Sequence, residues 1–279
     1  MYLSSRLSYI VMVLSLASGS IPARGQSDSL PAELNIPRNS GDSVQPVFEG
    51  WQKYPDGSRK FWFGYFNRNL EQQFDIPVGS SNGFTAASGQ AAWKADQGQP
   101  THFYTGRQRY IFAIDVPQSL GVDQKLTWTI VANGQTCKAI AFLDPSWEVD
   151  DGVRMMNHGG AGLAPPPANE YPKIISGSTD MTGQVGTPLK LTASATDDGV
   201  PKPRAGRSAS NGGVQITWIL YRGPGAVHFN PARSARVYGK TVEGTTEATF
   251  SVPGDYWLRA VADDGLLDTA RDVKVTITK

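Results

Sequence analysis

Two alternating apolar runs in this 279-residue chain end in the same acidic turn. The stretch "LTASATDDGVPKPR" covers Leu191 to Arg204, "LRAVADDGLLDT" covers Leu258 to Thr269, and each delivers Asp-Asp-Gly. Aspartate oxygens can ligate a hard cation, or they can bond nearby backbone N–H groups and turn the chain, with Gly199 and Gly265 supplying positive φ. Lys202, Arg204 and Arg207 follow the first turn directly and can neutralise its acids without a metal. The turn reading leads, and a bound cation is the alternative.

Other residue types suited to chemistry are few. The three histidines, His102, His158 and His228, stand in no metal-binding spacing, and no G-x-S-x-G elbow, glycine-rich nucleotide loop or C-x-x-C pair is present. The single cysteine, Cys137, lies in a strand-like run where an inert, half-buried thiol is expected. Glu49, Glu71 and Glu148 border the strands of the first half. A glycosidase pair need not be close in sequence, but a β-domain of this size leaves little room for a deep cleft. A non-catalytic role is expected.

Aromatic residues collect in the first half, and "KFWFGYF" is aromatic on both faces of one strand. Alternation turns Phe61, Phe63 and Tyr65 to one side, and Trp62 and Phe66 to the other. If water covers the second side, Trp62 and Phe66 form a platform for a sugar ring or a partner protein; if another element covers it, they are core.

The first residues, "MYLSSRLSYIVMVLSLASGSIPARGQ", carry Arg6, an apolar run too short to span a bilayer, and a small-residue cleavage site before Gln26. Residues 1–25 are therefore expected to be a signal peptide. Its removal leaves 24 basic against 25 acidic residues. Such balance gives no field to gather nucleic acid or anionic lipid. No disulfide can form with one cysteine, which favours a bacterial periplasmic, cell-surface or extracellular setting, with no transmembrane segment once the leader is gone.

Positioning falls to strands. Residues 26–45 show no period and are expected to be a flexible lead. Residues 46–149 carry strand signals, the strongest being "KLTWTIVANGQTCKAIAFL", where Asn133-Gly134 suits a two-residue hairpin turn; Pro55-Asp56-Gly57 marks another reversal. Residues 150–171, with Gly-Gly-Ala-Gly and three consecutive prolines, are expected to be a linker free of helix. Residues 172–279 alternate cleanly: Leu189, Leu191, Ala193 and Ala195; Val214, Ile216, Trp218 and Leu220; Val273, Val275 and Ile277. The expected fold class is all-β, two sandwich-like domains in tandem.

The passage "TEATFSVPGDYWLRAVADDG" resembles the late strands of immunoglobulin-like, PKD-type and cadherin-like bacterial modules. The features are Gly254, Tyr256, the alternation Leu258, Ala260, Ala262, and the turn Asp263-Asp264-Gly265. Within that resemblance Tyr256 takes the tyrosine-corner position and Trp218 the buried tryptophan of the third strand. The first half resembles N-terminal β-regions of secreted bacterial proteins on "FGYFNRN" and "DQGQPTHF", which implies a compartment and no mechanism.

The resemblance implies that both acidic turns leave one pole of the second sandwich. Asp197, Asp198, Asp263, Asp264 and Asp268 would then crowd together, and calcium, which takes 6–8 oxygen ligands, is the cofactor such a cluster would suit. The expected function is an exported binding, adhesion or spacer protein that recognises a protein or glycan through loops or a sheet surface. Lys202, Arg204 and Arg207 on the loop after the first turn, with Trp62 and Phe66, are its candidate contacts. The alternative is a secreted glycan-active hydrolase or its carbohydrate-binding accessory.

Overall fold

The computed structural model describes residues 38–86, 93–158, 168–202 and 212–279. The leader and most of the lead fall outside the described residues, as do Arg204 and Arg207.

The first half builds eight strands: β1 (Val44–Lys53), β2 (Arg59–Asn67), β3 (Phe74–Asp75), β4 (Asn82–Ala86), β5 (His102–Phe103), β6 (Gly106–Asp115), β7 (Leu126–Ala132) and β8 (Gln135–Ala141). The strand β1 begins inside the stretch read as a lead, because Val44 is fully buried and Asp42 and Ser43 bond to the 67–69 corner. Two antiparallel sheets, β1-β2-β6 and β4-β7-β8, face each other. Aromatic rings fill the space between them. Phe63 meets Phe84 at 5.2 Å and Trp128 at 5.9 Å, and Phe112 meets Trp128 edge-on at 5.2 Å. The β7-β8 hairpin closes at Asn133-Gly134 with φ of 47° and 72°, as the dipeptide requires. The β1-β2 hairpin closes through Pro55-Asp56-Gly57.

After β8 comes a helix, α1 (Asp151–His158), within the segment expected to be helix-free. The Asp150 carboxylate caps its first turn, accepting from Val153 N at 2.8 Å, and Arg154 docks it on Trp62 of β2.

The second half builds β9 (Lys173–Gly177), β10 (Met181–Gln184), β11 (Leu189–Thr196), β12 (Gln215–Arg222), β13 (Val227–Asn230), β14 (Val242–Phe250), β15 (Gly254–Asp263) and β16 (Asp268–Thr278). They form two four-stranded sheets, β10-β16-β15-β12 and β13-β14-β11-β9. Period-2 alternation puts Leu191, Ala193, Ile216, Trp218, Leu258, Ala260, Val273 and Val275 into one core. Tyr256 is fully buried and its hydroxyl donates to Val252 O at 2.8 Å; Trp218 Nε1 donates to Gly244 O at 3.0 Å. Gly223 must stay small, since a Cβ there would run into the Tyr256 ring. This is an immunoglobulin-like β-sandwich with its tyrosine corner in place.

Candidate functional site

The two sandwiches meet along a polar seam. The Tyr104 hydroxyl oxygen accepts a hydrogen bond from Leu220 N of the second sandwich at 2.8 Å, and Tyr221 OH donates back to Gly98 O at 2.5 Å. Arg222 Nε donates to Gln99 O at 2.7 Å while its Nη atoms grip Asp96. That ion pair holds the Asp96 carboxyl below the usual range. Arg259 lies 3.5 Å over the Tyr221 ring, is bidentate to Asp272, and donates to Ile111 O. Burial pushes the Tyr221 and Tyr104 hydroxyls up to about 12, so both stay protonated.

Beside the seam lies a cleft of about 430 Å³ between the outer face of β12-β15-β16 and the start of β6. Five arginines line it. Three are fully engaged: Arg107 is bidentate to buried Glu49 at 2.7 Å, Arg236 bonds Gly213 O, Asp263 O and the Asp263 carboxylate, and Arg259 is held as above. Burial raises the Glu49 carboxyl even with Arg107 beside it. The other two, Arg109 from the first sandwich and Arg233 from the second, are exposed, and their side chains make no hydrogen bond or ion pair with any described residue. Asp263 and Asp268 line the end of the cleft nearest the acidic turns.

The acidic turns do share a pole. Residues 169 and 170 touch both: Asn169 Nδ2 donates to Asp264 Oδ2 at 3.0 Å, and Glu170 N to Asp198 Oδ2 at 2.9 Å. Asp268 sits opposite Asp263 across the β15-β16 ladder. The carboxylates turn the chain. Asp197 accepts from Gly199 N, Asp198 from Val200 N, Asp263 from Gly265 N, and Asp264 from Leu266 N and Leu267 N. Burial raises Asp264 to about 6, with Asp197 nearby adding to it, and burial likewise raises Asp197. Among the described residues no three His, Cys, Asp or Glu side chains are grouped to hold a metal ion. Lys202 is exposed on the loop that leaves this pole.

Trp62 and Phe66 lie on the outer face of β2, and only Phe66 is open, at 40 % exposure. Helix α1 covers Trp62: the Arg154 guanidinium sits 3.9 Å over its indole, between Tyr110 and Tyr171, and donates to Tyr171 OH. The Tyr171 hydroxyl in turn donates to Asp151. His102, read as a bystander, is buried with Nδ1 on Asp75 at 2.7 Å and Nε2 on Gln73 Oε1 at 2.9 Å. Both ring nitrogens are occupied by neighbouring side chains. Cys137 is half-buried on β8. Arg109 and Arg233 were missed by sequence reasoning, since neither sits in a motif.

No family model matches the chain, and no curated protein matches it. Among solved structures, the N-terminal Ig1-2 module of the Drosophila receptor protein tyrosine phosphatase DLAR is 12% identical, with 85% of this chain and 98% of that one covered and a TM-score of 0.29. The D00-D0 domain of Intimin is 14% identical over 85% and 100%, with a TM-score of 0.26. Domains 4 and 5 of the S-layer protein SbsC are 10% identical over 85% and 98%, also at 0.26. The assignment of an immunoglobulin-like sandwich rests on this chain's own sheets, Trp218 and Tyr256.

Proposed function

We propose that this chain is a non-catalytic binding or adhesion module of an exported protein, acting at a bacterial surface and holding its ligand at the seam between the two sandwiches. One observation carries the reading: the seam fixes the sandwiches in place yet leaves an open cleft bearing two unengaged guanidinium groups. Two exposed arginines, one from each sandwich, line this cleft without a hydrogen-bonding or ion-pair partner among the described residues, and a ligand that they grip gives that arrangement a use. The ligand is a protein or a glycan. Among the described residues no helix is long and apolar enough to cross a membrane.

The test is capture together with turnover. The mature chain is incubated with insoluble polysaccharides and with purified surface proteins, and the soluble products are assayed for hydrolysis. Capture without turnover is expected. Hydrolysis abolished by Glu49→Gln would replace this reading with the secreted hydrolase.

A further inference from the structure

The chemistry of the cleft names its ligand class, an inference that rests on the binding reading above. Donors and acceptors are both on offer. The donors are the guanidinium groups of Arg109 and Arg233, which line the cleft from the first and the second sandwich. The acceptors are amide oxygens. Gln215 Nε2 already donates to Ser234 O at 2.8 Å and Gln108 Nε2 to Thr105 O at 3.1 Å, which leaves each Oε1 to accept. Thr217, beside them, can do either.

Sulfate presents acceptors only, so it would pair with the arginines and leave the amide oxygens facing anionic oxygen; inorganic phosphate at neutral pH adds only one or two O–H donors. An acidic peptide brings its donors as backbone N–H groups spaced along an extended chain, which suits a free strand edge. The edge of β12 at this cleft is already taken: Trp218 N donates to Ala232 O, Ser234 N to Ile216 O, and Thr101 N to Tyr221 O. A uronic acid carries one carboxylate and several hydroxyl groups on a compact ring, and so matches both halves of the set. We propose that the cleft binds an acidic sugar, a hexuronate unit of a glycan, with its carboxylate held by Arg109 and Arg233 and its hydroxyls on Gln108, Gln215 and Thr217.

The experiment is calorimetric titration of the full mature chain with trigalacturonate, its neutral trigalactose counterpart, inorganic phosphate and hexaglutamate, repeated on Arg109→Gln and Arg233→Gln. These two side chains make no hydrogen bond or ion pair with a described residue, so the melting temperature of either variant should stay close to the parent's. Binding of trigalacturonate at least tenfold tighter than trigalactose, weakened at least tenfold by either substitution, supports the proposal. Equal binding of the two trisaccharides, or an affinity within twofold of the parent in both variants, overturns it. Tighter binding of hexaglutamate or phosphate than of trigalacturonate also overturns it and reassigns the cleft to that chemistry. If the parent ignores trigalacturonate but still captures a purified protein or polysaccharide, only the cleft assignment falls; if it captures nothing, the binding reading falls with it.

Discussion

Arg259 of the second sandwich donates a hydrogen bond to the backbone carbonyl of Ile111 in the first, at 2.8 Å. The same guanidinium is stacked on Tyr221 and is bidentate to Asp272, so it cannot swing away without breaking several contacts together. A planar fork suits this triple duty, and an ammonium would not. The seam therefore couples the two cores, each of which has its own apolar cluster.

Arg259→Ala should uncouple them. It leaves the Asp272 carboxylate unpaired and the Tyr221 ring uncovered, at a cost of about 2–4 kcal/mol. The expected calorimetric result is one melting transition in the parent and two in the variant, with Arg259→Lys in between. A single unshifted transition in the variant would show that the sandwiches melt together for another reason.

Helix α1 should depend on Arg154, which is 5% exposed and enclosed by three aromatic rings. Arg154→Ala removes cation–π contacts to Trp62, Tyr110 and Tyr171 and the bond to the Tyr171 hydroxyl. A loss of about 1–3 kcal/mol is expected, felt locally, because eight residues do not hold a helix without docking. Hydrogen exchange should speed up across Asp151–His158 while the β14 and β15 amides keep their protection. Unchanged exchange in α1 would mean that the Asp150 cap alone sustains it.

The hairpin at Asn133-Gly134 and the alternating strands of the second sandwich were legible because each depends on neighbours in the chain: a turn dipeptide, or a period of two. The tyrosine corner was legible because its partner, Val252, is four residues from Tyr256. What escaped depends on distant pairing. Arg154 stabilises α1 by stacking on Trp62, which lies on another element, so the local composition misled. Arg109 and Arg233 line one cleft only because β6 and the segment beside β12 both border it, and nothing near either residue announces it. The acidic turns were placed correctly at one pole, yet their local bonds to Gly199, Val200, Gly265 and Leu267 decide what their oxygens do.

Tyr256→Phe isolates the corner. The ring keeps its edge contact with Phe250 at 4.8 Å, and only the hydroxyl bond to Val252 O is lost. Urea denaturation should show a loss of about 1–2 kcal/mol with an unchanged slope, since the surface exposed on unfolding is the same. A change below about 0.3 kcal/mol would mean that the corner hydroxyl finds an equal partner in water.

Asp264 gives the clearest dependence on pH. It is fully buried and burial lifts its carboxyl to about 6 in the folded chain, against an ordinary value of 3.8. For an acid raised in this direction, folding is favoured while the group is protonated. That contribution is complete below about pH 4 and is lost as the pH climbs through about 6. Protonation also relieves a neighbour: Asn169 Oδ1 is buried with no partner among the described residues, and an amide turned end for end could accept the new O–H. Asp264→Asn mimics the protonated acid and keeps an oxygen for the Leu266 and Leu267 amides. The variant should match the parent near pH 4 and exceed it by about 1–2 kcal/mol at pH 7.5, measured by urea unfolding at both values. Asp197, whose charge adds to the lift on Asp264, is freed of that repulsion in the variant, which works in the same direction at pH 7.5. A gap that is the same at both pH values would show that Asp264 titrates in its ordinary range, and that its turn bonds outweigh its burial.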